Sequence, residues 1–175
     1  MTLCVVQLTA QTSLLNSHEE SLLINGIMVN VSSTTLKGDL DYIERSWLSF
    51  AKSQLDKKMV SNDHVLTANK IVVNQITDKR GDLVVYLYNR DNEVSFNIAF
   101  KLGYDVYLNT EQYKEEFDSM TQFLEYFVNN YYNDYLPSYI KNKSKSLKYL
   151  NKQLSISEKS TKKTTKKNTK LANTL

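Results

Sequence analysis

Cysteine and proline each occur once in these 175 residues, histidine twice and glycine four times. The lone thiol, Cys4, excludes an internal disulfide and a Cys-based metal cluster, and its apolar neighbours make it an inert core residue. Four scattered glycines cannot build a phosphate-cradling loop or a dinucleotide fingerprint. The two histidines, His18 and His64, belong to no His-Glu-x-x-His pair and read as solvated loop residues. No Gly-x-Ser-x-Gly elbow is present. Catalysis therefore has no starting residue, and an enzyme is not expected. No apolar run nears the roughly 18–20 residues of a membrane helix. Met1 to Leu8 carry no basic segment ahead of their short apolar run, so a secretory signal is not expected and the sequons at Asn30 and Asn142 carry no meaning. The expected location is the cytoplasm or a virion, away from membranes.

Arginine is also scarce, with three residues against 19 lysines, and none follows Arg90. What the chain does have is a charge split. Residues 1–137 carry 11 Lys or Arg against 18 Asp or Glu, a net of −7, whereas residues 138–175 carry 11 Lys against Glu158 alone, a net of +10. An acidic body with a basic arm is built to grip something anionic while the body makes other contacts. The 17 Asn, 12 Tyr and 19 Lys favour A/T-rich codons, as the scarcity of Gly, Pro and Arg also does. That bias points to an A/T-rich genome and inflates both the lysine tail and the tyrosine count.

The periodicities predict an α+β fold. Leu3–Thr9 reads as a buried strand. Ser21–Ile24 and Ile27–Val31 flank Asn25-Gly26, the signature of a tight hairpin turn. Leu40, Ile43, Trp47, Phe50, Ala51 and Leu55 recur at helical spacing, with Asp39 or Asp41 as N-cap. Strands follow at 64–68 and 71–77. Arg80-Gly81-Asp82, despite spelling an integrin tripeptide, reads as part of a turn into a strand at 83–88. Val94, Phe96, Ile98 and Phe100 alternate with Glu93, Ser95, Asn97 and Lys101, which predicts a strand with one wet face. A last strand is expected at 104–108. Asn109 or Thr110 then caps a long helix whose stripe includes Tyr113, Phe117, Met120, Leu124, Phe127, Tyr131 and Tyr135, ended by Pro137. The expected architecture is an antiparallel β-meander plus an N-terminal hairpin, packed by two amphipathic helices, with a disordered basic C-terminal tail. Its divisions are an acidic body over 1–137, a basic amphipathic extension over 138–154 and a disordered Lys/Ser/Thr-rich tail over 155–175.

The candidate binding residues are Lys141, Lys143, Lys145, Lys148, Lys152, Lys159, Lys162, Lys163, Lys166, Lys167 and Lys170, joined by Tyr132 and Tyr139 from a tyrosine- and asparagine-rich stretch. Lysines give point charges without the bidentate fork that reads bases, so the arm would hold phosphates without sequence choice. The tyrosines lie off the core stripe, where they could stack on bases or fill a protein interface. Asp39, Asp41 and the helix acids are explained by capping and solvation, and no metal or cofactor is expected. The expected function is a non-enzymatic structural or interaction protein of a larger assembly, such as a phage connector, ring or capsid-associated protein. Its partners would be other proteins of the assembly, with DNA or RNA, or an acidic protein surface, held by the tail, and the chain is expected to be an oligomer or assembly member. The alternatives are a free, sequence-nonspecific nucleic-acid-binding protein and an enzyme whose site assembles only in three dimensions.

Overall fold

A computed structural model of the chain describes residues 17–24 and 26–172, with side chains as far as 164. The expected strand at 3–9, Cys4 and the turn residue Asn25 lie outside the described residues. The chain divides into two compact units, Met1–Tyr131 and Tyr132–Leu175.

The first unit is an antiparallel seven-stranded sheet with helices, an α+β fold. The hairpin of β1 (His18–Ile24) and β2 (Ile27–Leu36) forms where expected, with Gly26 at positive φ in its turn. Helix α1 (Leu40–Gln54) follows, and the Asp39 carboxylate accepts from the Tyr42 N–H, so Asp39 is the cap. The chain then runs through β3 (Val60–Asn62), β4 (Val65–Val73), β5 (Thr77–Arg90), β6 (Glu93–Gly103) and β7 (Val106–Tyr107). Strand order is β1-β2-β6-β5-β4-β3, with β7 also on β6. The meander thus returns β6 to pair with β2. Asn109 accepts from the N–H groups of Glu111 and Gln112 just ahead of α2 (Lys114–Ala172), an Asx turn leading into the helix.

The main core lies between the helices and one face of the sheet. Trp47 is fully buried, with its ring 5.1 Å from Phe96, 4.9 Å from Phe127 and 6.0 Å from Phe123. Its indole N–H donates to the Met59 sulfur at 3.1 Å, so the polar tip is satisfied. Side-chain bonds also hold α2 here, among them Thr121 to Ser32 at 3.0 Å, the Tyr131 hydroxyl to the Lys37 carbonyl at 2.8 Å and Lys79 to Glu116 at 2.8 Å.

Three expectations change. The two strands read at 64–68 and 71–77 are largely one, β4, interrupted by a bulge at Asn69-Lys70 where Lys70 takes positive φ. Arg80-Gly81-Asp82 is not a turn but lies inside β5, with Gly81 opposite Ile71. The turn falls earlier, at 74–76. Glycine is required at 81 by close packing, because a Cβ there would overlap the Lys101 carbonyl oxygen and the Phe100 ring. Gly81→Ala should therefore lower stability by about 1–3 kcal/mol, the usual cost of overpacking. A denaturant midpoint equal to that of the wild type would show that this contact has room to spare.

The third change concerns the face of β6 read as wet. Ser95, Asn97 and Ala99 are buried on it. Val29, Val31 and Ala99 form a second apolar cluster there, with Leu22, Ile24, Tyr86 and Tyr107 packed against it. Buried polar side chains are usually hydrogen-bonded. The Asn97 amide nitrogen donates to the Tyr86 carbonyl and to the Ser95 hydroxyl, at 3.2 and 3.1 Å, while its Oδ1 has no hydrogen-bond partner among the described residues. Burial also pushes the Tyr86 hydroxyl up to about 12.

In the second unit the backbone is helical through Ala172, so Pro137 does not end α2 and residues 155–172 are helical where a disordered tail was expected. A proline inside a helix removes one backbone donor, which leaves the Asn133 carbonyl without its usual partner. Beyond it there is no glycine or second proline. The helix-weak Ser and Thr residues turn their hydroxyls onto carbonyls four residues back, as Ser146 does to Asn142, Thr161 to Ser157 and Thr164 to Ser160.

Candidate functional site

A helix turns about 100° per residue, and this sorts the lysines of the second unit. By backbone position, ten of the eleven candidate lysines fall within an arc of roughly 140° on α2. They are Lys141, Lys145, Lys148, Lys152, Lys159, Lys162, Lys163, Lys166, Lys167 and Lys170. Those with described side chains are exposed. The row rises about 44 Å from Lys141 to Lys170 at 1.5 Å per residue, with mostly one lysine per turn. Lysines toward a helix C-terminus also complement its dipole.

Lys143 stands apart, on the opposite side of the helix. There its ammonium lies over the Tyr139 ring, 5.4 Å from the centroid. Tyr139 stacks on Tyr135 at 5.6 Å, and Tyr135 meets Tyr132 edge-on at 6.5 Å. Tyr132 and Tyr139 are therefore grouped with Lys143 and separated from the lysine row. Bases stacked on these rings would not have their phosphates on the row. Periodicity alone held this signal: spacings of four and three among the lysines define a face once the segment is helical.

A second constellation was missed in the sequence. His64 does lie in a loop, but its side chain is not simply solvated: its Nδ1 lies 2.6 Å from Glu44 Oε2, and Ser61 donates to the other Glu44 oxygen. Asp63 and His64 form the β3–β4 turn with positive φ, and the Leu87 N–H holds the His64 carbonyl at 3.1 Å. The hydrogen bond to Glu44 raises the His64 pKa against the opposing effect of partial burial. Burial pushes the Glu44 carboxyl up, but the bonds from Ser61 and His64 together outweigh it and hold it below the ordinary range. With Asp41, these residues bring three ligand atoms within 4.8 Å. Nitrogen and oxygen ligands around a tetrahedral zinc stand roughly 3.3 Å apart, wider than the Glu44–His64 contact. The two groups satisfy each other by this hydrogen bond, which is an ion pair when the imidazole is protonated.

A raised histidine pKa stabilises fully below the ordinary imidazole range, and the effect is lost as pH rises through the folded-state value. A lowered carboxylate pKa stabilises above the ordinary carboxylate range and is lost as pH falls. Both contributions are present in the mildly acidic window between the two. His64→Gln should cost about 1 kcal/mol near pH 6, discounted for partial exposure, and less near pH 9. Urea melts of both proteins at each pH check this, and a pH-independent difference would refute it.

Open grooves of about 440 and 530 Å³ lie among the described residues. The first runs past Met28, Asp105 and Gln112, the second past Val65, Asp82 and Tyr107, and His64 lines neither. No helix of the described residues is long and apolar enough to cross a membrane. No protein-family model, curated protein or solved structure matches this chain.

Proposed function

We propose that this chain is a non-enzymatic structural or interaction protein of a larger assembly, and that its C-terminal helix lies along a polyanion, nucleic acid above all. The observation that carries this is the gathering of ten of eleven lysines onto one side of α2. An unselected solubilising tail would scatter them around the helix axis. Residues 1–137, at a net charge of −7, would repel phosphate, so the affinity belongs to the lysine row. Each lysine that meets a phosphate displaces a condensed counterion, which makes binding strong at low salt and indifferent to sequence. A helix without tertiary packing is marginal in water, and contact with the polyanion would complete its ordering where the sequence alone predicts disorder. Given the A/T-biased composition, the assembly we favour is a phage particle, with this chain as a connector, ring or capsid-associated component.

The test is binding of the full-length chain to two unrelated DNA duplexes of equal length across a salt series. Equal affinities for the two sequences and a steep fall with salt are expected. Absence of binding at low salt would remove nucleic acid as the partner.

A further inference from the structure

The side of α2 opposite the lysine row carries an apolar seam with no cover among the described residues. Leu136, Ile140, Leu147, Leu150 and Leu154 are between 44% and 62% exposed. Their spacing alternates four and three once Lys143 is counted, which is a heptad repeat. Ile140, Leu147 and Leu154 take the a positions, and Leu136, Lys143 and Leu150 take d. We propose that this seam is a self-association surface, and that a second copy of the chain packs its own Leu136–Leu154 face against it as a two-stranded coiled coil.

The flanking positions identify the occupant. In a coiled coil the e and g residues border the seam and select partners by charge. Here Ser144 and Asn151 stand at e, and Tyr139, Ser146 and Gln153 at g, all uncharged. Such a border matches itself and offers nothing to a helix whose own edges are charged. Lys141, Lys145, Lys148 and Lys152 occupy the b and f positions, so two copies meet without juxtaposing their lysine rows. Lys143, the one charge within the seam, already turns its ammonium toward the Tyr139 ring at g. A lipid surface fits less well. Its headgroups would need cations flanking the apolar stripe, whereas these lysines lie on the far side of the helix. An interface of this kind is isologous, with the same patch used by both copies. It does not depend on the polyanion proposal: the dimer would form without nucleic acid and leave both rows outward.

The experiment is sedimentation equilibrium of the full-length chain without nucleic acid, from about 1 to about 200 μM, since a weak dimer appears only with concentration. The mass should climb from one chain toward two. Leu147→Asn with Leu150→Asn should weaken association at least tenfold. The far-side pair Lys148→Gln with Lys152→Gln should leave it unchanged or tighten it slightly. All four positions are exposed, so the thermal melt of the first unit should be the same in every variant, and this checks that the fold survives. The proposal is overturned by a monomer at every concentration, or by a dimer indifferent to the leucine substitutions. A chain that stays monomeric and binds phosphatidylserine vesicles through the same leucines would assign the seam to a membrane surface instead.

Discussion

Replacing Trp47 with alanine should destabilise the folded protein by about 3–5 kcal/mol, the range for emptying a large buried aromatic site. Trp47 is wholly buried and sits where α1, α2 and the central strand β6 converge, in contact with the rings of Phe50, Phe96, Phe123 and Phe127. These rings are held by the elements that frame the core, so they cannot collapse into the space vacated. The Met59 sulfur also loses its donor, a minor effect beside the cavity. Phe127→Ala should cost a similar amount, because Phe127 is equally buried against Phe96. The two sites touch, so the double variant should depart from the sum of the singles by roughly 0.5–3 kcal/mol. Trp47 is the only tryptophan, and the unfolding must be followed by circular dichroism rather than fluorescence. A Trp47→Ala protein that unfolds at the wild-type denaturant midpoint would mean that the helix does not present this face to the sheet.

The elements that could be read from sequence are those fixed by near neighbours. The β1–β2 hairpin follows from its turn signal, α1 from its apolar stripe and the Asp39 cap, and β6 from strict alternation. What escaped depends on residues distant in sequence. Gly81 looked like a turn glycine because its true reason, the approach of Lys101 and Phe100, lies some twenty positions away. Ser95 and Asn97 looked solvated because part of what covers that face, Tyr86 on β5 with Val29 and Val31 on β2, lies far from them in sequence. His64 looked unpartnered because Glu44 reaches it from α1. Pro137 looked like a stop because a proline within a helix is ordinarily costly. For the candidate site the residues were legible and their arrangement was not. Composition marks eleven lysines, but only a helical backbone turns spacings of four and three into a row, sets Lys143 apart with Tyr139 and exposes the leucine seam.

Changing Lys145, Lys148, Lys152 and Lys159 to glutamine should remove most of the salt sensitivity of duplex binding. If about five lysines of the row engage phosphates, the log–log slope of affinity against salt is near −4.5, from about −0.9 per contact, and a fourfold rise in salt weakens binding about 500-fold. If the four replaced lysines are among those five, one contact is left, and the same rise should cost only about fourfold. Lys143→Gln is the discriminating control. It removes the same unit charge from the same segment, but from the opposite side of the helix, where the ammonium lies over Tyr139. A disordered tail binds through its total charge, so each lysine would count alike and Lys143→Gln would flatten the slope by about 0.9. A helical row predicts almost no change from Lys143 and about 0.9 from each row lysine that meets a phosphate. Salt titrations of the wild type, the quadruple variant and Lys143→Gln therefore separate the two cases. Equal slopes for all three would mean that the row makes no phosphate contacts, and a Lys143 effect equal to that of a row lysine would mean that the arm binds as an unstructured polycation.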